Sequence, residues 1–195
     1  MTVTTQKFTF EQYLSYEDGT DVQYELVDGE LVPISLGTGK HGNVIWFLGK
    51  QFDELIASTE RSWVSRSSVI GVQSPRGRAW ETSRIPDIVV LPLAQWEAMA
   101  SREAVIRMNE PPPLLVVEVV SPSTKSDDYR SKRGEYGFLE IPEYWIVDPL
   151  VEKVTVCVVE NQFYDATEFI GDDPIQSTVF PELNLNTDQI MRGNL

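Results

Sequence analysis

The feature that most constrains this chain is the run LLVVEVV at residues 114–120, in which Glu118 is the one residue that is not aliphatic. A continuous Leu/Val run, opened by three prolines and closed by Ser121-Pro122, predicts a strand buried on both faces inside a helix-covered sheet. Burying an unpaired carboxylate costs several kcal/mol. Glu118 therefore requires a cation, a metal ion or a proton beside it.

The segment that follows supplies a cation. Residues 121–126 offer turn and capping groups, Asp127 and Asp128 suit the positive end of a helix dipole, and the pattern predicts a helix reaching Leu139. Tyr129, Tyr136 and Leu139 recur at i, i+7 and i+10, and the i+3 place in that apolar stripe is Lys132. At roughly 100° per residue, Lys132 points with the two tyrosines toward the sheet that carries Glu118. A second reading stays open, in which Lys132 pairs only with Asp128 at i, i+4 on an exposed helix face.

Composition narrows the chemistry. With 195 residues, 42% of them hydrophobic, and no repeat or low-complexity linker, residues 1–195 are expected to form one domain with a sizeable core. No run approaches the roughly 20 apolar residues of a membrane span, and the polar N-terminus lacks a signal pattern, so a cytoplasmic protein is expected. Cys157 is the only cysteine and reads as a packed core thiol, which excludes an internal disulfide and a cysteine-cluster zinc site. His41 is the only histidine, so the chemistry falls to carboxylates and lysine. A net charge of −14 opposes broad electrostatic binding to nucleic acid and leaves room for a local basic groove or a metal-screened site.

Along the chain, residues 8–14 suggest a short amphipathic helix after Thr9, and Asp28-Gly29 marks a type I′ hairpin with Glu25 and Glu30 on its paired strands. Those two glutamates are either solvated edge carboxylates or, for Glu25, part of a site. Residues 41–58 carry apolar side chains at helical spacing, with His41 in the first turn, either facing a site or capping. Residues 63–73 read as one strand, followed by a polar loop. Arg76, Arg78 and Arg84 there are candidate phosphate contacts or ordinary solvated loop residues. Residues 85–91 form an apolar strand with Asp87 at its mouth, on the same face as Val89 and Leu91. A short helix over 93–100, a connection over 102–109, strands over 144–147, 153–159 and 162–169, and a tail wrapping the sheet edge complete the expectation.

Two carboxylates and a lysine converging from adjacent strands and a helix make a recognisable set. The carboxylates can hold Mg²⁺ or Mn²⁺, and the lysine can orient a water or balance charge on phosphorus. These residues resemble the PD-(D/E)XK nuclease superfamily and, within it, the Uma2 family of bacterial endonucleases. YELVDGEL from Tyr24, RIPDIVVL from Arg84, VVEVVSPST from Val116 and EYWIVDP from Glu143 carry the resemblance. Pro86-Asp87 matches the PD, and Glu118 matches the second acid. Val120 stands where the superfamily lysine belongs; in the Uma2 pattern that lysine has moved to the next helix as KxxxY, which Lys132 and Tyr136 match.

The resemblance implies an α/β fold of the α+β type. It is a restriction-endonuclease-like mixed β-sheet flanked by helices, here with an N-terminal hairpin and extra C-terminal strands. It further implies a metal-dependent endonuclease that hydrolyses DNA phosphodiester bonds. Asp87 and Glu118 would be metal ligands, Lys132 the third catalytic residue, and Mg²⁺ or Mn²⁺ the cofactor. DNA is the expected partner, with a homodimer as in many nucleases of this fold. Glu25, His41 and Tyr136 are candidates for supporting positions. Two alternatives stand beside this reading: a nuclease-fold module without turnover that binds nucleic acid or a protein, and a phosphodiesterase acting on RNA or small nucleotides.

Overall fold

The computed structural model describes residues 6–75, 81–160 and 163–193. Helix α1 (Phe10–Leu14) opens behind Thr9, which forms a reciprocal capping box with Gln12. Strands β1 (Tyr24–Val27) and β2 (Glu30–Pro33) turn on Asp28 and Gly29, whose φ angles of 50° and 77° are those of the expected type I′ hairpin. Helix α2 (Gly39–Ser58) starts at Thr38, whose hydroxyl accepts the His41 amide.

The expected strand over 63–73 is two strands in different sheets, β3 (Trp63–Ser67) and β4 (Gly71–Gln73). The break falls at Ser68, whose φ of 54° ends the extended run while its amide bonds the Asp87 carbonyl. Next come β5 (Ser83–Arg84), β6 (Ile88–Pro92) and α3 (Leu93–Glu97), then β7 (Val105–Ile106) inside the expected connection, and β8 (Leu115–Val119). The following helix is π-helical over Asp127–Lys132 before it tightens into α4 (Arg133–Phe138). The chain ends with β9 (Glu143–Asp148), β10 (Lys153–Glu160), β11 (Phe163–Ile170) and α5 (Thr187–Arg192).

Six strands form a mixed sheet in the order β11-β10-β9-β8-β6-β3, in which β8 and β9 are parallel and the other neighbours antiparallel. A smaller sheet has the order β2-β1-β5-β4-β7. Helix α2 covers one face of the large sheet, packing Val44, Leu48 and Phe52 with Val117, Val119 and Trp145. On the other face Val89, Val116 and Val120 meet Tyr136 of α4. Strand β8 is thus buried on both faces, and each Val or Leu so enclosed stabilises the fold by about 1.5–3 kcal/mol. Cys157 lies in that core, where burial pushes its thiol up to about 11 and leaves it an inert packing group.

The tail closes the sheet through one carboxylate. Glu143, fully buried, accepts hydrogen bonds from Trp145 Nε1, Ser177 Oγ, the Thr178 amide and hydroxyl, and the Val179 amide, at 2.6–3.1 Å. That anchorage sets Phe180 flat against Phe52, with ring centroids 5.1 Å apart. Among the described residues, no helix is long and apolar enough to cross a membrane.

Candidate active site

Strand register brings the two acids together. In the antiparallel pair β6–β8, Ile88 lies opposite Val117 and Val89 opposite Val116, and one further step sets Asp87 opposite Glu118. Directly opposed residues share a sheet face, so both carboxylates project on the α4 side. Asp87 Oδ2 accepts the Val119 amide at 2.6 Å, which fixes the first acid to the strand of the second.

Lys132 reaches Glu118 as the helical stripe predicts. Its Nζ lies 2.7 Å from Glu118 Oε2 and 2.9 Å from Asp128 Oδ1, and it is 5% exposed. The second reading, a solvated Lys132 paired only with Asp128, does not hold: the Asp128 pair exists, but it is buried and joined by Glu118. The Tyr136 hydroxyl donates to Glu118 Oε1 at 2.8 Å. Burial pushes Glu118 up to about 8, with Lys132 opposing and Asp128, Asp87 and Glu25 adding to the rise. Burial also works against the Lys132 charge, but Glu118 and then Asp128 more than offset it and hold the ammonium above the usual lysine range. Burial and Glu118 keep the Tyr136 hydroxyl protonated, as a donor must be.

His41 does face the site from the amino end of α2. Its Nε2–H donates to the Val119 carbonyl at 2.9 Å and lies 3.5 Å from Asp87 Oδ2. The contact with Asp87 raises its pKa, with burial opposing. Glu25 reaches the same pocket, where its oxygens accept Arg84 Nη1 at 3.1 Å and the Ile85 amide at 3.0 Å. Glu30 diverges, to Lys7 at 3.2 Å.

Arg84 corrects the expectation of a basic phosphate-binding loop. It is 1% exposed and bound in a bidentate pair to Glu135, through Nε at 2.8 Å and Nη2 at 3.0 Å, so its guanidinium is committed within the protein. Arg76 and Arg78 lie outside the described residues. Asp128 and Glu135 are the site-region acids that the sequence reading assigned elsewhere or passed over. Their signal was available, since Asp128, Lys132 and Glu135 fall at i, i+4 and i+7, a charged row along one helix face.

The constellation opens onto a cavity of about 540 Å³ lined by Glu25, Asp87, Glu118, Lys132 and His41. One wall is apolar, from Val32, Ile34 and Leu36, and another presents Ser121, Ser123 and Thr124. A hollow of about 730 Å³ lies between α4 and β11, but its charged lining is Arg130, Arg133 and Glu140, without a facing acid pair.

The mixed sheet with its flanking helices is a nuclease-like fold, and it brings an acid pair on adjacent strands together with a lysine from a helix. The chain belongs to the Uma2 family: residues 10–188 match the family model, which is described as "Putative restriction endonuclease". A crystal structure described as a "putative nuclease belonging to DUF820", from Anabaena variabilis, superposes with a TM-score of 0.76 over 96% of this chain and 99% of that one. At 16% identity, that likeness is one of fold. An uncharacterized protein of Synechocystis sp., sll1609, is 24% identical over 180 residues, covering 87% of this chain and 92% of that protein.

Proposed function

We propose that the protein is a divalent-metal-dependent endonuclease that hydrolyses DNA phosphodiester bonds at the Asp87, Glu118 and Lys132 constellation. The observation that carries this reading is an excess of acid around a reachable cavity. Among the described residues, Glu25, Asp87, Glu118, Asp128 and Glu135 face Lys132, Arg84 and the His41 ring beside Asp87, so acids outnumber cations there. Such a pocket repels a phosphodiester until a divalent cation reverses its sign.

The donor set suits Mg²⁺ or Mn²⁺. Among the described residues no group of three or more His, Cys, Asp or Glu side chains forms a metal cage. Mg²⁺ does not need one, since it keeps several waters and takes one or two carboxylates, here Asp87 and Glu118. Bound there, the ion would polarise a phosphoryl oxygen and acidify a water. The chain's own groups have separate tasks. Lys132 holds the attacking water or balances charge developing on the phosphoryl oxygens. The Tyr136 hydroxyl fixes one Glu118 oxygen, the Val119 amide fixes Asp87, and His41 braces both Asp87 and the Val119 carbonyl.

A second reading, a nuclease-fold module without turnover, is favoured by one observation: both Glu118 oxygens are already engaged, by Lys132 and Tyr136. A plasmid-nicking assay with Mg²⁺ or Mn²⁺ separates the two. The parent should nick DNA, while EDTA or Glu118→Ala abolishes the activity. Cleavage that persists in EDTA, or at an undiminished rate in folded Glu118→Ala, overturns the assignment. A parent that neither cuts nor binds either metal is the module.

A further inference from the structure

We infer that Asp128 is a positioning residue that keeps Lys132 in the site when Glu118 is taken up by a metal ion. The inference rests on reading Glu118 as a ligand. Asp128 is 1% exposed, its ion pair among the described residues is with Lys132 at 2.9 Å, and beyond that the Thr124 hydroxyl eases its burial without closing a hydrogen bond of normal geometry. Buried carboxylates that serve the fold are surrounded by donors, as Glu143 is by five. Asp128 instead depends chiefly on one long-chain cation, and removing Lys132 would leave the Asp128 charge buried and uncompensated, whereas Lys132 has Glu118 as a second partner.

The local backbone is shaped for this pairing. Over Asp127–Lys132 the helix is π-helical, and closing i to i+5 widens the turn so that residue i+4 comes more nearly above residue i than in an α-helix. Asp128 and Lys132 are that i, i+4 pair, and Tyr136 follows at the next i+4 in α4. One edge of the helix thus presents an acid, an ammonium and a hydroxyl in line, the last two each bonded to a different Glu118 oxygen. Widened turns of this kind recur at functional sites.

The ammonium is shared between two acids with different exposure to the cavity. Glu118 and Lys132 line it, and Asp128 lies behind them. A cation engaging Glu118 competes with Lys132 for the same carboxylate and repels the ammonium. Asp128, which does not line the cavity, supplies the anion that keeps Lys132 from turning away. Asp128 therefore acts through Lys132 and does not touch substrate.

The test needs neither metal nor turnover, because Glu118→Gln mimics neutralisation of Glu118. Acylation of Lys132 by an amine-reactive reagent, followed by peptide mass mapping, is measured in the parent, Glu118→Gln, Asp128→Asn and the double variant. Glu118→Gln should leave the Lys132 rate within about threefold of the parent, while the double variant should raise it more than about tenfold, the equivalent of one pKa unit. In the nicking assay Asp128→Asn should lower kcat by about 10- to 100-fold with little change in the KM for DNA. If Glu118→Gln alone frees Lys132 tenfold, Glu118 is the anchor and the inference fails. It fails equally if Lys132 stays protected in the double variant, since packing then holds it. Should the double variant not fold, Glu118→Gln and Asp128→Asn decide. A parent that never cuts DNA would refute the nuclease reading, while the labelling would still decide what anchors Lys132.

Discussion

Glu118 and Glu143 sit on neighbouring parallel strands, β8 and β9, both buried, and they are stabilised in opposite ways. Glu143, at the start of β9, is satisfied by five neutral donors from Trp145 and the C-terminal tail. Glu118, near the end of β8, has one hydroxyl and one lysine, and three further acids act on it. The first arrangement fixes a tail to a sheet. The second leaves charge uncompensated beside a cavity, at the carboxyl end of the parallel strand pair, where open sheets tend to place ligands. Burial alone does not tell the two acids apart; the kind of partner does.

Exchanging the two glutamates for glutamine should separate rate from stability. Glu118→Gln and Lys132→Met should each cut the nicking rate by about 10²- to 10⁴-fold, while circular dichroism shows the parent fold. Glu143→Gln turns an amide donor toward groups that themselves donate. It should cost about 2–4 kcal/mol in urea unfolding and leave the rate per folded molecule unchanged. Activity loss on Glu143→Gln without loss of stability would erase the distinction.

Arg84 sharpens the comparison, because it is a buried cation whose partners resemble those of Lys132. Its bidentate hold on Glu135 cannot be copied by a lysine, so Arg84→Lys should cost about 1–3 kcal/mol and lower activity only through the folded fraction. Thermal unfolding and the nicking rate at fixed folded concentration check both parts.

The smallest effect is a pH slope. Glu118 in the folded chain is pushed up to about 8, from an ordinary 4.5, by burial. The folded state then holds this proton more tightly than the unfolded state. Its contribution to stability is present below about pH 4.5 and is lost as pH rises through about 8. The Tm of metal-free parent should therefore fall more between about pH 5.5 and 8.5 than that of Glu118→Gln, which lacks the group. Parallel slopes in the two proteins would contradict the raised value.

What could be read in the sequence follows from how strongly local pattern constrains each residue. Glu118 stood out because six aliphatic neighbours forbid a solvated carboxylate, and Lys132 because it fills the i+3 place of the Tyr129, Tyr136 and Leu139 stripe. Asp87 was legible through strand alternation, and the hairpin through its Asp-Gly turn. The smaller sheet was not, since β4, β5 and β7 are two or three residues long, too short to show a period. Arg84 misled because a buried arginine and a loop arginine look alike until the acids that hold it, Glu25 and Glu135, are brought from 59 and 51 residues away. The i, i+4 spacing of Asp128 and Lys132 was legible, but not that the pair is buried, because the widened turn that aligns it has no signature in composition.

Direct metal binding tests the central claim, that Asp87 and Glu118 form a cation site whose acid excess calls for a divalent ion. Isothermal titration of the purified chain with Mn²⁺ should show saturable binding that is lost in Asp87→Asn and in Glu118→Gln and retained in Glu143→Gln and Lys132→Met. Saturable binding that survives both Asp87→Asn and Glu118→Gln, or no binding by the parent at all, would contradict it.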